Sequence, residues 1–415
     1  QIEDQIEREL DNFQLTGIAH QQFSTLSGGQ KRLVEVVKIM HSDAHLALID
    51  EPTNHMDYIA KQQFVDWMKA ARESVLVITH DRDVLREVNR IVELKDGGSQ
   101  SFKGNYDAYL KQNAVSTGSQ MNEFEMIERR IVNLKAKVIE YQRFKEKSRT
   151  PSTIQRFKRL EEQSRKELAE LQKKEKPTFW IDKDSAADLN YKTAAQYEKF
   201  KAKNVRIDLK NNDSRSKHVL VLARGLSLGY TAPLFTGLNI DLREGEAVEF
   251  RGRNGAGKTT LIKKILGNTS MTQFDGELTV DKQVRIGVYE QEVSPTYFKL
   301  PLEEAIEKMY MDRGLTITTT KIRSLMSDYL FTEGDGKVPI ERLSGGQKAR
   351  FQLITMLAND PQLLILDEPT NHLDLPSIEE METALARYSG AIIYVSHDNY
   401  FRDKIDGEVI IIGKE

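Results

Sequence analysis

A glycine-rich segment in the second half of the sequence has the composition of a phosphate-binding loop. GRNGAGKTT follows the apolar run AVEF, which indicates a strand, and precedes a helical pattern. Glycines let backbone N–H groups close around phosphate oxygens, and the start of a helix favours an anion. The lysine then suits the β- and γ-phosphates, and the threonine suits Mg²⁺. The candidate binding residues are Gly252, Arg253, Asn254, Gly255, Ala256, Gly257, Lys258, Thr259 and Thr260, with Thr259 also a candidate metal ligand.

Two acids and a later histidine could complete a hydrolytic site. Asp367 and Glu368 follow the apolar run LLIL, and His397 follows IIYV 30 residues after Asp367. An acid at the end of a buried strand can hold Mg²⁺, and the next acid can act as the base for an attacking water. His397 then suits a contact with the γ-phosphate. Gln291, in VYEQE, is a candidate Mg²⁺ ligand, and Tyr230, in LSLGY, is a candidate for stacking on adenine.

The acidic and histidine motifs occur twice, whereas the glycine-rich segment occurs once. The first copy contains Asp50, Glu51 and His80. Three motifs held at one offset indicate a tandem duplicated domain. At an offset of 317 residues the sequence repeats LSGGQK (26–31 and 343–348), DEPTNH (50–55 and 367–372) and THD or SHD (79–81 and 396–398).

Short apolar runs must position these motifs. HLALID, QLLILD, SVLVITH and AIIYVSH have the length of buried parallel strands, and helical patterns separate them. Alternating strands and helices predict a parallel sheet covered by helices, with the chemistry at the carboxyl ends of the strands. Each copy is therefore predicted to be an α/β domain.

The composition and the apolar spacing of the sequence change between the copies. From Gln120 to Lys176 there is one proline, Pro151, and no glycine. Apolar residues step by 4, 3, 4 and 3, which is the spacing of a coiled-coil seam, and a second helical pattern follows the proline. We predict an antiparallel coiled-coil hairpin over about 120–176. Its first seam consists of Ile127, Ile131, Leu134, Val138 and Tyr141, and its second of Ile154, Phe157, Leu160, Leu168 and Leu171.

The predicted tip of this hairpin is basic. Between Tyr141 and Leu160 the only acid is Glu146, and Phe144 and Phe157 lie among the bases. A basic cluster at the end of a stiff arm suits RNA phosphates, although a solvated face on a plain interdomain tether would have a similar composition. The candidate RNA-binding residues are Arg143, Lys145, Lys147, Arg149, Arg156, Lys158 and Arg159.

Composition excludes several classes of protein. The chain has 415 residues, enough for two to three domains, and its net charge of −3 gives no overall nucleic-acid-binding character. It has no cysteine, which excludes disulfides and fits a reducing cytosol, so we expect a cytoplasmic protein. No apolar run approaches the roughly 18 residues that a membrane span needs.

The LSGGQ and DEP motifs, together with the histidine after the last strand, resemble the ATPase domain of the ABC superfamily. DEPTNHMD and DEPTNHLD, together with the charged helical linker, resemble the ABC-F subfamily, whose members are soluble tandem ATPases that in many cases act on the ribosome. The resemblance implies an α/β fold with two P-loop ABC ATPase domains, the first lacking its N-terminal lobe, joined by an antiparallel α-helical coiled-coil linker. The expected bounds are 1–111 for the first domain, 112–217 for the linker and 218–415 for the second domain.

The resemblance also implies how the site is assembled. In this superfamily each ATP lies between the phosphate loop of one domain and the signature loop of the other, here by intramolecular pairing in a monomer. The Lys258 site, with ATP and Mg²⁺, would be completed by the first signature loop. The opposite site would have Asp50 as metal ligand and Glu51 and His80 as catalytic residues, but no lysine loop. The two signature loops would be Ser27, Gly28, Gly29 and Gln30, and Ser344, Gly345, Gly346 and Gln347.

Three functions remain open from the sequence. The resemblance favours a ribosome-associated ATPase, either a translation factor or an antibiotic-protection factor, whose linker contacts rRNA and the P-site tRNA. A DNA-associated ATPase and the ATPase subunit of a membrane transporter are the alternatives. The offset of 317 places a first phosphate loop about 65 residues upstream of Gln1, so we also expect that Gln1 is not the natural start or that another polypeptide supplies the missing lobe.

Overall fold

A computed structural model describes most of the chain, and the described part divides into two compact units. Residues 1–88 and 204–415 belong to one unit, and residues 89–203 belong to the other. The expected domain boundary after residue 111 falls inside a helix, Tyr106–Lys147. The described residues are 7–8, 10–11, 15, 20–26, 28–42, 44–54, 56–95, 98–174, 176–189, 191–207, 209, 218–290 and 293–413.

The strands of the second copy form two sheets. They are β5 (Val219–Gly229), β6 (Pro233–Arg243), β7 (Ala247–Arg251), β8 (Thr272–Val280), β9 (Ile286–Tyr289), β10 (Leu363–Asp367), β11 (Ala391–Val395) and β12 (Glu408–Ile411). Five of them form a parallel sheet with the order β12-β7-β11-β10-β9. The other three form an antiparallel sheet with the order β6-β5-β8. The helices are α8 (Lys258–Ile265), α9 (Leu302–Asp312), α10 (Thr319–Asp328), α11 (Gly345–Leu357), α12 (Leu375–Ala386) and α13 (Asn399–Ile405).

The central strands of this sheet are buried on both faces. Every residue of β10 and β11 is buried. Leu363 and Ile365 face a core that also contains residues of α8 and the antiparallel sheet. Leu364 and Leu366 face a second core, formed with the helices of the other layer. The continuous apolar runs are therefore explained, because alternate residues of a strand point to opposite faces.

The first copy repeats part of this backbone at the same offset. Its elements are β1 (Leu46–Asp50), β2 (Ser74–Ile78), α1 (Gly28–Met40), α2 (Tyr58–Ala70) and α3 (Arg82–Leu85). The strands β1 and β2 are parallel, as β10 and β11 are, and both pairs are in the same register. The predicted duplication and the predicted parallel strands are confirmed.

The sheet of the first copy differs in its burial. Ala47 and Ile49 point into a core that contains Phe64 and Val65 of α2. The opposite face is exposed, so the prediction that these strands are buried is wrong for one face of each. The exposed fractions on that face are 52% for Leu46, 65% for Leu48, 53% for Leu76 and 62% for Ile78.

The other compact unit contains the predicted hairpin. Leu134 and Val138 are buried along the seam between its two long helices, and Ser148–Thr150 connect them. A second core forms near the base of the long helix around Met121 and Phe200. The elements are β3 (Arg90–Lys95), which pairs antiparallel with β4 (Gly98–Lys103), and the helices α4 (Tyr106–Lys147), α5 (Pro151–Gln172), α6 (Lys183–Ala187) and α7 (Tyr191–Phe200).

Within the described ranges, no helix combines the length and the apolar composition that crossing a bilayer requires.

Candidate active site

The glycine-rich segment forms the predicted strand–loop–helix. It connects β7 to α8, and two of its glycines have left-handed backbones, Gly255 with φ 85° and Gly257 with φ 103°. Side chains disfavour this conformation, so glycine is required there. Lys258 is buried, and its Nζ donates to the carbonyl oxygens of Gly252 at 2.7 Å and Arg253 at 3.1 Å. The lysine therefore lies against the loop, where it suits a bound phosphate.

Thr259 and Asp367 meet at the carboxyl edge of the sheet. Thr259 is in the first turn of α8, Asp367 ends β10, and the Thr259 hydroxyl donates to Asp367 Oδ2 at 3.1 Å. Burial raises the pKa of Asp367 above its ordinary value, although Thr259 and Lys258 oppose the shift. Hydroxyl and carboxylate oxygens are hard donors of the kind that Mg²⁺ prefers. The pair therefore fits the predicted metal site.

Glu368 occupies a strained backbone position directly after β10. Its φ of 51° is left-handed, a conformation that non-glycine residues rarely adopt and that is often found at functional sites. The backbone N–H of His397 donates to Glu368 Oε2 at 3.3 Å, and His397 Nε2 lies 3.2 Å from Glu368 Oε1. Burial, reinforced by Asp367, raises the pKa of Glu368 to about 8. A carboxylate with a pKa near neutrality suits a general base.

His397 is a neutral ring at physiological pH. Burial, together with the positive charges of Lys258, Lys61 and Arg402, lowers the pKa of His397 to about 3. A neutral imidazole beside Glu368 can donate or accept one hydrogen bond at each ring nitrogen. The structure thus brings Lys258, Thr259, Asp367, Glu368 and His397 to one edge of the sheet, as predicted.

The second signature loop opens a helix. Ser344 caps α11: its hydroxyl accepts from the N–H of Gln347 at 3.2 Å, and its own N–H donates to Gln347 Oε1 at 3.0 Å. In the first copy α1 begins at Gly28, at the same offset. Ser27 and Gln291 lie outside the described residues, so their roles stay predictions.

Tyr230 follows the end of β5, and its side chain is 50% exposed. Its predicted contact with adenine stays a prediction as well.

The first copy has the same acid–histidine pair in a different environment. Glu51 has a φ of 46°, close to that of Glu368, and its Oε1 lies 2.8 Å from His80 Nδ1. Burial lowers the pKa of His80, but the hydrogen bond and charge of Glu51 outweigh it, so the pKa lies above its ordinary value. His80 therefore carries more positive charge than His397 at the same pH.

Sequence reasoning missed a set of charged residues that joins the two copies. Lys61 and Arg82 of the first copy reach His397, Asp398 and Glu382 of the second copy. One signal was available, because Lys61 is a charged residue at a position where the repeat places Ile378, a buried apolar residue. A cavity between the copies is lined by residues that include Lys61, His80, Glu368 and His397.

Comparison with known proteins agrees with this geometry. The family described as ABC transporter matches residues 1–54 and 235–371. The chain is 31% identical to the ribosome protection protein VmlR of Bacillus subtilis (strain 168), covering 94% of this chain and 69% of that protein. It is 29% identical to ABC transporter F family member 5 of Arabidopsis thaliana, covering 93% of this chain and 51% of that protein.

Solved structures show the same fold. The structure named RNase-L Inhibitor matches with a TM-score of 0.58 and 16% identity, covering 98% of this chain and 65% of that chain. This chain thus spans about half to two thirds of the length of the proteins that it matches. Its extended similarity to ABC-F proteins, its duplicated ATPase motifs and its helical linker lead to one conclusion: the chain belongs to the ABC-F subfamily of the ABC ATPase superfamily.

Proposed function

We propose that this ABC-F protein binds and hydrolyses ATP with Mg²⁺ and acts on the ribosome in the cytoplasm, where its hairpin contacts RNA. The action is that of a translation factor or of an antibiotic-protection factor. The exposed basic tip of the hairpin is the observation that carries the proposal.

The tip presents its bases to solvent. Ser148–Thr150 form the turn, and six of the seven predicted bases are exposed within it or beside it. The seventh, Lys145, is half-buried and donates to Glu161 Oε2 at 2.7 Å, so it stabilises the hairpin. The proposal therefore rests on Arg143, Lys147, Arg149, Arg156, Lys158 and Arg159.

Aromatic rings lie among these bases. Phe144 and Phe157 stack with their ring centroids 5.2 Å apart, and Phe144 remains 42% exposed. RNA-binding surfaces combine positive charge with aromatic faces on which unstacked bases can pack. A tether needs neither an exposed phenylalanine nor a cluster of exposed bases at its turn.

The helices behind the tip form a stiff arm. The shorter one, α5, has 22 residues and so a length of about 33 Å at 1.5 Å per residue. Arg130 Nε and Nη2 donate to the two carboxylate oxygens of Glu167 at 2.7 and 3.0 Å, which links the two helices. Leu134 and Val138 are buried between them. An arm of this length can carry the basic tip into a narrow RNA-lined space.

The relatives give independent support. VmlR is named a ribosome protection protein, and 94% of this chain aligns with it. The alignment includes the linker between the two ATPase copies, so the similarity is not confined to the nucleotide site.

At the nucleotide site, Lys258 and the backbone N–H groups of residues 252–258 would hold the phosphates of ATP. Thr259 and Asp367 would hold Mg²⁺, which neutralises phosphate charge when it is bound. Glu368 would accept a proton from the attacking water, and His397 would orient it. Gln291 is the further candidate metal ligand.

Charge reversal at the tip tests the ribosomal role. Changing the six exposed tip bases to Glu is expected to abolish co-sedimentation with ribosomes and to leave ATP binding intact. Phosphate contacts are electrostatic, so the wild-type interaction is also expected to weaken steeply with salt. Duplex DNA as competitor distinguishes a DNA-associated ATPase.

A matched control uses the shaft of the same hairpin. Six exposed bases away from the tip, changed to Glu, give the same net charge, and this variant is expected to keep most of its ribosome association. Equal losses in both variants, or wild-type sedimentation of the tip variant, would contradict RNA contact by the tip. The control residues are Arg129, Lys135, Lys137, Lys166, Lys173 and Lys174.

A further inference from the structure

A buried lysine of the first copy reaches the hydrolytic site of the second. Lys61 lies in the first turn of α2 and is 7% exposed. Its Nζ donates to the carbonyl oxygen of His397 at 2.7 Å, and it lies 2.9 Å from Asp83 Oδ2 and 3.0 Å from Asp81 Oδ2. An ammonium group has three N–H donors, so these three acceptors use all of them.

The repeat shows that Lys61 is not required by the fold. At the offset of 317 residues its counterpart is Ile378, which is fully buried in the apolar core of the second copy. Replacing a buried ion pair by apolar residues is often neutral or stabilising. The same chain thus has an apolar residue at the equivalent position, so fold stability alone does not explain a lysine at position 61.

The contact between Lys61 and His397 lies beside the catalytic pair formed by His397 and Glu368. His397 donates its backbone N–H to Glu368, and its ring nitrogen also lies beside that carboxylate. The carbonyl of the same residue accepts from Lys61. The next residue, Asp398, is held by Arg82 Nη2 at 2.9 Å. Residues of the first copy therefore contact the backbone carbonyl of His397 and the side chain of Asp398.

Further contacts between the two copies surround Lys61. Asp83 Oδ2 also accepts from Asn399 Nδ2 at 2.9 Å, which ties the acid that pairs with Lys61 to the helix after His397. The guanidinium groups of Arg82 and Arg86 lie 4.5 and 4.4 Å from the ring centroid of Tyr400. These contacts join the copies across a common interface.

We propose that Lys61 is a positioning residue for ATP hydrolysis, acting through the His397 carbonyl to hold the His397 ring and N–H against Glu368. The first copy then contributes to the chemical step at the Lys258 site and not only to nucleotide binding. The inference rests on ATP hydrolysis at this site and is independent of ribosome binding.

The first test separates kcat from KM in the full chain without ribosomes. Lys61→Met is expected to lower kcat roughly 10–100-fold, the loss typical of residues that orient a catalytic group, with KM for ATP within twofold of wild type. The matched control is Lys69→Met. Lys69 lies on the same helix in an exposed pair with Glu87 at 2.7 Å, so its removal is expected to leave both parameters unchanged.

The second test restores the ammonium group chemically. The chain has no cysteine, so Lys61→Cys creates a single thiol. Alkylating that thiol in denaturant with 2-bromoethylamine, followed by refolding, rebuilds a side chain of lysine's length and charge. Alkylation with 2-bromoethanol gives a neutral side chain of the same length. The aminoethyl form is expected to recover most of the wild-type kcat, and the hydroxyethyl form to match Lys61→Met.

The outcomes distinguish the alternatives. Full kcat in Lys61→Met, or equal kcat in the two alkylated forms, would overturn the positioning role while leaving hydrolysis at the Lys258 site intact. Parallel losses of kcat and ATP affinity together with a lowered melting temperature would assign Lys61 to structure alone. A wild-type chain without ATPase activity would contradict hydrolysis itself, and this inference with it.

Discussion

The two copies of the ATPase motif share a backbone and differ in what surrounds it. The strands β1 and β10 and the helices α1 and α11 begin at the same offset of 317 residues, and the acids that follow the strands have left-handed φ values of 46° at Glu51 and 51° at Glu368. Among the described residues, only the second copy also has a three-stranded antiparallel sheet and a phosphate loop. The motif therefore determines local backbone geometry, and the added elements determine burial and charge.

The histidines show the consequence of that difference. Near His397, burial and the cations Lys258 and Lys61 lower the pKa to about 3. Near His80 the second-largest influence after burial is Glu51, an anion, and the pKa rises above its ordinary value. One motif thus gives a neutral ring in one copy and a ring with increased proton affinity in the other.

The largest expected effect comes from the catalytic base. Glu368→Gln is expected to bind ATP but to hydrolyse it roughly 10²–10⁴-fold more slowly, because the base is lost while the groups that bind the phosphates remain. The same change at Glu51 is expected to cost far less, since the phosphate loop that contains Lys258 lies beside Glu368. Single-turnover hydrolysis measures both, and wild-type turnover in Glu368→Gln would contradict the role of this acid.

The burial difference predicts unequal costs for equivalent core changes. Ile365→Ala, at a fully buried position of β10, is expected to lower the free energy of unfolding by roughly 2–5 kcal/mol. Leu48→Ala, the same position in the repeat, is expected to change it by no more than about 0.5 kcal/mol, because Leu48 is 65% exposed. Urea denaturation of this chain measures both. Equal losses would show that the exposed face of β1 is covered in solution.

The lysine of the phosphate loop is expected to contribute directly to nucleotide binding by the second copy. Lys258→Ala is expected to weaken ATP binding roughly 10–150-fold, the loss that corresponds to a hydrogen bond with a charged group worth about 1.5–3 kcal/mol. Equilibrium titration with ATP and Mg²⁺ measures the change. Lys264→Ala, on the same helix but outside the loop, serves as control, and unchanged affinity in Lys258→Ala would contradict the phosphate contact.

Local motifs made much of this architecture predictable. The run QLLILD becomes β10 because continuous apolar residues suit a strand buried on both faces. Ser344 and Gln347 cap α11 because serine and glutamine three residues apart can bond reciprocally with the first backbone N–H groups. The seam through Leu134 and Val138 follows from heptad spacing. Each of these outcomes depends on residues close together in the chain.

Contacts between distant residues were not predictable in the same way. Lys61 and His397 are 336 residues apart, and the contact depends on how the copies pack, which no local pattern encodes. The exposure of Leu48 likewise depends on which elements cover β1 and not on its own run of residues. The sequence predicts an RNA contact for Lys145, whereas Glu161, 16 residues later, holds it in the hairpin.

The smallest expected effect is a pair of opposite pH dependences. A histidine whose folded pKa is raised contributes stability that is complete below the unfolded value of about 6.5 and is lost as pH rises through the folded pKa. Removing His80 as His80→Gln is therefore expected to cost more stability at pH 6 than at pH 8.5, by roughly the 0.2–1 kcal/mol of a partly exposed ion pair. The pKa of His397 is lowered in the folded state, so the unfolded chain binds a proton more readily and the protein loses stability as pH falls below about 6.5. His397→Gln removes this loss, so the substitution is expected to cost less stability at pH 6 than at pH 8.5. Urea denaturation of the two variants and the wild type across this pH range measures both slopes. Slopes of the same sign would show that His80 and His397 have similar electrostatic environments, which would contradict the difference in burial and charge between the copies.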